Sequence, residues 1–305
     1  MADFATLADA LVQEFSQARH KHANTLILTL YGDTINPHGG TIWLGHLIKL
    51  VEPLGINQRL VRTSVYRLSE KGIMQSRQKG RRSYYSLTER GYRQYQSAEM
   101  RIYVTALPLW DGRWRLVMIP SGGMGSKRRE TVDKELLWLG FNRLASGVYV
   151  HPTADMQELN TMLADQKVSE HVVVLHAENG VDGHTHSDQL LMQCMGSKAT
   201  DQAYQTFVDT YAPILQAAYT SPLNPERCFL VRTLLINHYR VILLHEPELP
   251  AGLLPKNALT LQARQITQAL YLRICQLSDA HYLQVVQKRT PINLPKEYVK
   301  RYAME

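Results

Sequence analysis

Cysteine is scarce in this 305-residue sequence: Cys194, Cys228 and Cys275 are all it has. They are odd in number, lie far apart and form no Cys-x-x-Cys. That argues against a disulfide framework or a zinc ribbon and makes a reducing cytoplasm the simplest setting. Long apolar runs are missing too. None approaches the ~18 residues that cross a bilayer, and no basic-then-apolar leader opens the chain, so no membrane partner is expected. There is no Walker or dinucleotide-binding glycine loop and no nucleophile elbow. No catalytic residue, metal or cofactor is therefore assigned. Repeats and low-complexity tracts are also absent. What remains is a chain with 45% hydrophobic residues, ample for real cores, and a length that suits two or three domains.

Charge is almost balanced, with one exception. Lys and Arg number 34 against 27 Asp and Glu, a net charge of +7. Between Asn57 and Arg101 stand eleven Lys and Arg against three Glu, an excess of eight. One segment thus carries the whole basic excess, as a nucleic-acid-binding surface on a neutral scaffold would.

That segment begins as a helix. Asn57 is a good N-cap and Gly72 a natural stop. Val61, Val65 and Leu68 share one face by helical spacing. The other face carries Arg59, Thr63 and Tyr66, flanked by Arg62 and Arg67, with Glu70 at the far end. Met74–Arg77 and Ser83–Leu87 then read as strands, and Gln78–Arg82 joins them around Gly80, which tolerates the positive φ of a tight turn. Arg77, Lys79, Arg81 and Arg82 crowd the tip. Like charges repel unless an anion lies between them, and phosphate oxygens are the obvious anion. Helix plus basic hairpin is the working end of a winged helix-turn-helix. Its helix enters the major groove of double-stranded DNA and its wing grips phosphates or reaches the minor groove.

Upstream, residues 1–23 read as an amphipathic helix on Phe4, Leu7, Leu11 and Phe15. Thr25–Tyr31 reads as a buried helix ending near Gly32-Asp33. Thr41 is placed as the cap of a helix with Trp43, Leu44, Leu47, Ile48 and Val51 as its apolar set. Thr88 caps a helix leading out of this domain. Beyond it, strands at Arg113–Ile119, Gly147–His151 and His171–His176 alternate with helices at Ser126–Gly140 and Thr153–Ala164, which suits a small ferredoxin-like split-βαβ domain. Glu178–Asp188 reads as a loop. From about Gln189 the chain looks helical, at Asp201–Tyr219, Pro225–His245 and Leu259–Leu277, with prolines breaking it at Pro247 and Pro250. From Val286 the tail is mixed and basic. The fold class is α+β: a winged helix-turn-helix over 1–105, a ferredoxin-like domain over 106–180 and a mainly helical domain over 181–305.

Several motifs resemble one family over most of the chain. They are Tyr31-Gly32-Asp33 with Gly39-Gly40, Ile42-Trp43-Leu44-Gly45, Val61-Arg62-Thr63, Arg67-Leu68, Gly80-Arg81-Arg82-Ser83 and Tyr85-Ser86-Leu87. Further on come Trp110-Asp111-Gly112-Arg113-Trp114, Trp138, Gly140-Phe141, Leu234-Leu235-Ile236, Tyr239-Arg240, Pro247, Leu249 and Pro250. The sequence is similar to the PaaX-type transcriptional repressors of phenylacetic acid catabolism. His38 stands where the family has a basic residue, usually arginine, and is expected to weaken one phosphate contact. The resemblance implies a homodimeric repressor that binds operator DNA and is released by an acyl-CoA effector, phenylacetyl-CoA. It also implies a Cas2-like central domain and a C-terminal helical domain used in dimerisation and effector response.

A CoA thioester carries phosphates, an adenine and an acyl group, so it needs basic side chains beside apolar walls. Arg232, His238, Tyr239 and Arg240 on one helix and Arg264 on another are the candidates, and all could equally make interdomain ion pairs. Likeness to Cas2 raises a nuclease alternative. Metal-dependent cleavage needs carboxylates that hold a divalent ion, and the likeness to Cas2 implies an aspartate at the end of the first strand. Here that strand ends Met118-Ile119-Pro120-Ser121, and Asp111 precedes it. Asp182, His184, His186 and Asp188 have metal-ligand types, but they fall in a polar loop and no second cluster is evident, so they are read as solvated. Two further alternatives stay open: another aromatic acyl-CoA as effector, and an adaptor whose basic wing meets an acidic protein.

Overall fold

In the computed structural model of the protein, residues 2–18, 23–103, 109–122, 124–178, 198–243, 249–250, 253–254 and 258–286 are described. The Glu178–Asp188 loop past its first residue, with its two histidines, and the tail after Val286 lie outside them. The chain forms two compact units. One gathers Met1–Thr105, Tyr204–Ile242 and Leu259–Glu305, and the other Ala106–Ala203 and Leu243–Ala258. Among the described residues, no helix is long and apolar enough to cross a membrane.

In the first unit α1 (Phe4–Gln17) starts at Asp3, whose carboxylate accepts from the Thr6 amide at 2.8 Å. It buries Phe4, Ala8 and Leu11 on one stripe. α2 (Ala23–Leu30) runs into a wider π turn over Tyr31–Ile35, closed by the Asn36 amide on the Tyr31 carbonyl at 2.8 Å. All five residues of that turn are buried, Asp33 included.

Thr41–Trp43, read above as the start of a helix, is instead a strand, β1, and α3 begins at Leu44 and ends at Val51. The reason is tertiary. β1 pairs antiparallel with β3 (Arg82–Leu87), Trp43 opposite Tyr84, so the wing is the outer part of a three-stranded sheet ordered β1-β3-β2. β2 covers Met74–Lys79, and α4 covers Gln58–Glu70 between α3 and the wing. α5 (Glu89–Ile102) opens at Thr88, whose hydroxyl accepts from the Gly91 amide at 3.0 Å.

The second unit carries a four-stranded antiparallel sheet of β4 (Arg113–Met118), β5 (Asn142–Ala145), β6 (Val148–His151) and β7 (Val173–Glu178). Its order is β5-β6-β4-β7. With α6 (Ser126–Trp138) between β4 and β5 and α7 (Met156–Asp165) between β6 and β7, this is the split βαβ expected of a ferredoxin-like domain. The core beneath the helices contains Val117, Val132, Leu136, Tyr149, Leu159 and Leu163. The opposite face buries Trp114 and Val150 against Leu249.

Three long helices supply the C-terminal part: α8 (Lys198–Thr220), α9 (Pro225–Leu243) and α10 (Leu259–Val286). α1 is tied to this part of the same unit. The Phe4 amide meets the Ser221 hydroxyl at 3.3 Å, and Arg227 donates twice to Asp9, each at 2.8 Å.

Candidate nucleic-acid interface

α4 is set by its ends. The Asn57 side chain accepts from the Leu60 amide at 2.9 Å, and the chain leaves the helix through Gly72 at φ +65°. Val61, Ser64, Val65 and Leu68 are buried, which fixes the rotation of the helix. Arg59, Arg62, Tyr66 and Arg67 are then exposed, and Thr63 is half-buried with its hydroxyl donating back to the Arg59 carbonyl at 2.9 Å. Tyr66 is 64% exposed, an unusual position for an aromatic ring on a free surface. With its amide turned over so that oxygen and nitrogen exchange places, Gln58 accepts from Arg62 Nη2 at 3.0 Å and Nε at 3.1 Å, one turn along.

The wing strands run further than the sequence indicates. Lys79 pairs with Arg82, so the turn is only Gly80-Arg81, with Gly80 at φ +60°. Side chains alternate across a sheet. The registers Arg77 opposite Tyr84 and Lys79 opposite Arg82 therefore put Arg77, Lys79 and Arg82 on one face, the face that also carries Trp43. Arg81 sits in the turn. Among the described residues, none of the nine side chains expected to meet DNA is in an ion pair with a carboxylate. A cleft of about 410 Å³ separates wing and helix, lined by Trp43, Gly45, Gln58, Arg62, Arg81 and Ser83. The arrangement is a cationic helix and a cationic ribbon around a groove, with hydrogen-bond donors facing out. It can hold phosphates by charge and read base edges by the helix.

His38 is not on this face. Its Nδ1 lies 2.6 Å from the Thr34 carbonyl, and its ring packs on Tyr282 of α10, centroids 4.8 Å apart. The residue at this position is thus half-buried against α10.

The five effector candidates lie within or beside the helical core. Arg232 is fully buried. It donates from Nε to Asp33 Oδ2 at 2.7 Å, from Nη2 to the Asp33 carbonyl at 2.9 Å and from Nη1 to Asp279 Oδ1 at 2.6 Å. Tyr103 and Tyr271 donate to Asp33 Oδ1 at 2.5 and 2.9 Å, and the Arg232 guanidinium lies 4.7 Å over the Tyr271 ring. Arg232 is thus engaged by two carboxylates, which sequence alone does not reveal. Tyr239 is buried and Arg264 nearly so. His238 is half-buried at the surface of α9, with Nδ1 2.9 Å from the Tyr211 hydroxyl, and burial pushes it down to about 4, so it is neutral at pH 7. Arg240 is half-buried and reaches the Thr25 carbonyl at 3.5 Å.

In the second unit β4 ends at Met118 without a carboxylate. Asp111 is bound through both oxygens by Arg115, at 2.8 and 2.9 Å, and that contact holds its carboxyl below the usual range.

The sequence matches three family descriptions in chain order: PaaX-like protein over residues 22–91, PaaX protein central Cas2-like domain over 108–191, and PaaX-like protein C-terminal domain over 196–284. It is 34% identical over 269 residues to the transcriptional repressor PaaX of Escherichia coli (strain K12), covering 87% of this chain and 84% of that one. Uncharacterized protein Rv0674 from Mycobacterium tuberculosis has a similar fold, with a TM-score of 0.54 at 19% identity over 85% of this chain and 97% of that one. Three successive matches, together with a relative aligned over most of both chains, place the protein in the PaaX family.

Proposed function

We propose that this chain is a DNA-binding transcriptional repressor of phenylacetate catabolic genes, acting as a cytoplasmic homodimer and released from its operator by phenylacetyl-CoA. The observation that carries the DNA reading is the unpaired cationic face of α4 and the wing. The family and its repressor relative supply the regulatory part. α4 enters the major groove, with Arg59, Arg62, Thr63, Tyr66 and Arg67 nearest the bases. Arg77, Lys79, Arg81 and Arg82 hold the backbone. A two-fold dimer requires half-sites about 34 Å apart, or a multiple of that.

Release follows if the thioester binds one conformation of the dimer more tightly than the DNA-competent one, since a ligand shifts an equilibrium only by its differential affinity. Of the proposed effector residues, Arg240 and Arg264 are the candidate phosphate ligands, with His238 and Tyr239 on the same helix as Arg240. Arg232 would first have to leave Asp33 and Asp279. The chain is read as a non-enzyme because the strand end that a Cas2-type nuclease would use has no carboxylate and Asp111 is bound by Arg115.

The test is fluorescence anisotropy on duplex DNA from upstream of the neighbouring catabolic genes, at fixed salt against scrambled duplex, with phenylacetyl-CoA and free phenylacetate as titrants. Specific binding lost with the thioester alone is the expected result. Specific binding that another acyl-CoA releases would move the effector, and equal affinity for scrambled DNA would remove the operator reading.

A further inference from the structure

Trp43 lies on the cationic face of the wing sheet, on β1, outside the helix and hairpin that carry the charges. The Arg82 guanidinium is stacked over its indole, 4.5 Å from the ring centroid. The indole itself is held. His46 packs edge-on against it with centroids 4.8 Å apart. The chain also passes so close to it that a Cβ at Gly45 would lie 2.6 Å from the ring. The same indole lines the cleft between wing and recognition helix, together with Arg62 and Arg81. Arg82 is exposed, and among the described residues no carboxylate pairs with it.

A free arginine at the tip of a hairpin crowded with Lys79, Arg81 and Arg77 would be pushed outward by its neighbours and would sample many rotamers. A flat π face removes that freedom. It attracts the guanidinium through its quadrupole while leaving the edge N–H groups open to an acceptor. Immobilising one rotamer-rich side chain on binding weakens association by roughly two- to tenfold, and a side chain already fixed avoids that loss.

We propose that Trp43 is a positioning residue for DNA binding, presenting Arg82 in a fixed orientation to one backbone phosphate. The inference rests on the DNA-binding reading given above. Trp43 does not itself touch the nucleic acid. It acts through Arg82, and the effect is independent of base sequence.

The experiment uses the full chain and fluorescein-labelled duplex DNA of random sequence over a series of KCl concentrations. Four variants are compared with the wild type: Trp43→Leu, Trp43→Phe, Arg82→Ala and the double variant Trp43→Leu/Arg82→Ala. Arg82→Ala is expected to lower the slope of log K against log[KCl] by about 0.9, the loss of one phosphate contact. Trp43→Leu should weaken binding by roughly two- to tenfold. In the Arg82→Ala background it should have no further effect, because the residue it positions is gone. Trp43→Phe, which keeps a π face, should stay within about twofold of the wild type. Equal losses from Trp43→Leu with and without Arg82 would overturn the proposal, since the tryptophan would then act through the fold alone. An Arg82→Ala variant with unchanged affinity and slope would overturn it as well. Absence of duplex binding by the wild type would remove the DNA-binding reading and this inference with it, an outcome distinct from wild-type binding that Trp43→Leu leaves untouched.

Discussion

Replacing Arg232 by methionine is expected to be among the most damaging single changes outside the DNA-facing surface. The guanidinium makes three hydrogen bonds, to both the carboxylate and carbonyl of Asp33 and to the carboxylate of Asp279. The side chains of both ion pairs are at most 2% exposed. Methionine fills much of the same volume against the Tyr271 ring, so the main loss is electrostatic, not a cavity. Two buried carboxylates would lose the guanidinium that pairs with both. Breaking a buried pair by deleting one partner costs about 3–5 kcal/mol. At roughly 2–4 °C per kcal/mol for a unit of this size, the melting temperature should fall by about 10 °C. Urea unfolding followed by far-UV circular dichroism measures this as a lower midpoint at an unchanged slope. Adding Asp33→Asn and Asp279→Asn to Arg232→Met should recover a large part of the loss, because neutral amides no longer need a countercharge. An Arg232→Met chain within about 1 kcal/mol of the wild type would refute the reasoning, since uncompensated buried carboxylates cannot be that cheap.

Arg81→Ala should weaken binding to every DNA sequence alike and lower the salt slope by about one, measured by anisotropy across salt concentrations. Arg62→Ala should cost about 1–3 kcal/mol and relax the preference for operator over scrambled duplex. If it lowers affinity for both DNAs equally, its hydrogen bonds go to the backbone. His238 makes stability pH-dependent. Its folded pKa of about 4 lies below the unfolded value of 6.5, so the unfolded chain binds the proton first. Stability therefore falls as pH drops from about 6.5 towards 4, by on the order of 3 kcal/mol. A His238→Gln variant should flatten that acid limb in pH-dependent urea unfolding, and an unchanged limb would count against the assignment.

α4 is legible in the sequence because its signals are local: a capping Asn57, a stopping Gly72 and an apolar stripe between them give the helix within a residue. The βαββαβ order of the second unit is legible only in part, since Asn142–Ala145 is short and has no apolar alternation to mark it as a strand. β1 was misread because Trp43 and Leu44 fit the helical stripe of α3, and what makes Thr41–Trp43 a strand is Tyr84–Ser86, more than forty residues later. The cationic surface was read from charge alone, but not the indole that organises it. Charge counting has no way to register an aromatic platform on another strand. Arg232 drew attention as a cation on an apolar helix, a pattern shared by ligand sites and buried ion pairs. Only its contact with Asp33 separates the two. The packing of His38 is equally invisible in the sequence, because its ring partner, Tyr282, is on the last helix.

The Asp33–Arg232 contact spans 199 residues of sequence. At synthesis rates of about 5–20 residues per second, the aspartate leaves the ribosome roughly 10–40 s before the arginine that neutralises it. During that interval the first hundred residues hold α4 and the wing, but also a π turn whose Asp33 carboxylate lacks its arginine partner. Long-range closures of this kind are slow and are made late. The buried ion pair of the first unit is therefore completed towards the end of translation, not its beginning. A chain terminated before Arg232 would carry the cationic helix and wing without the arginine that pairs with Asp33.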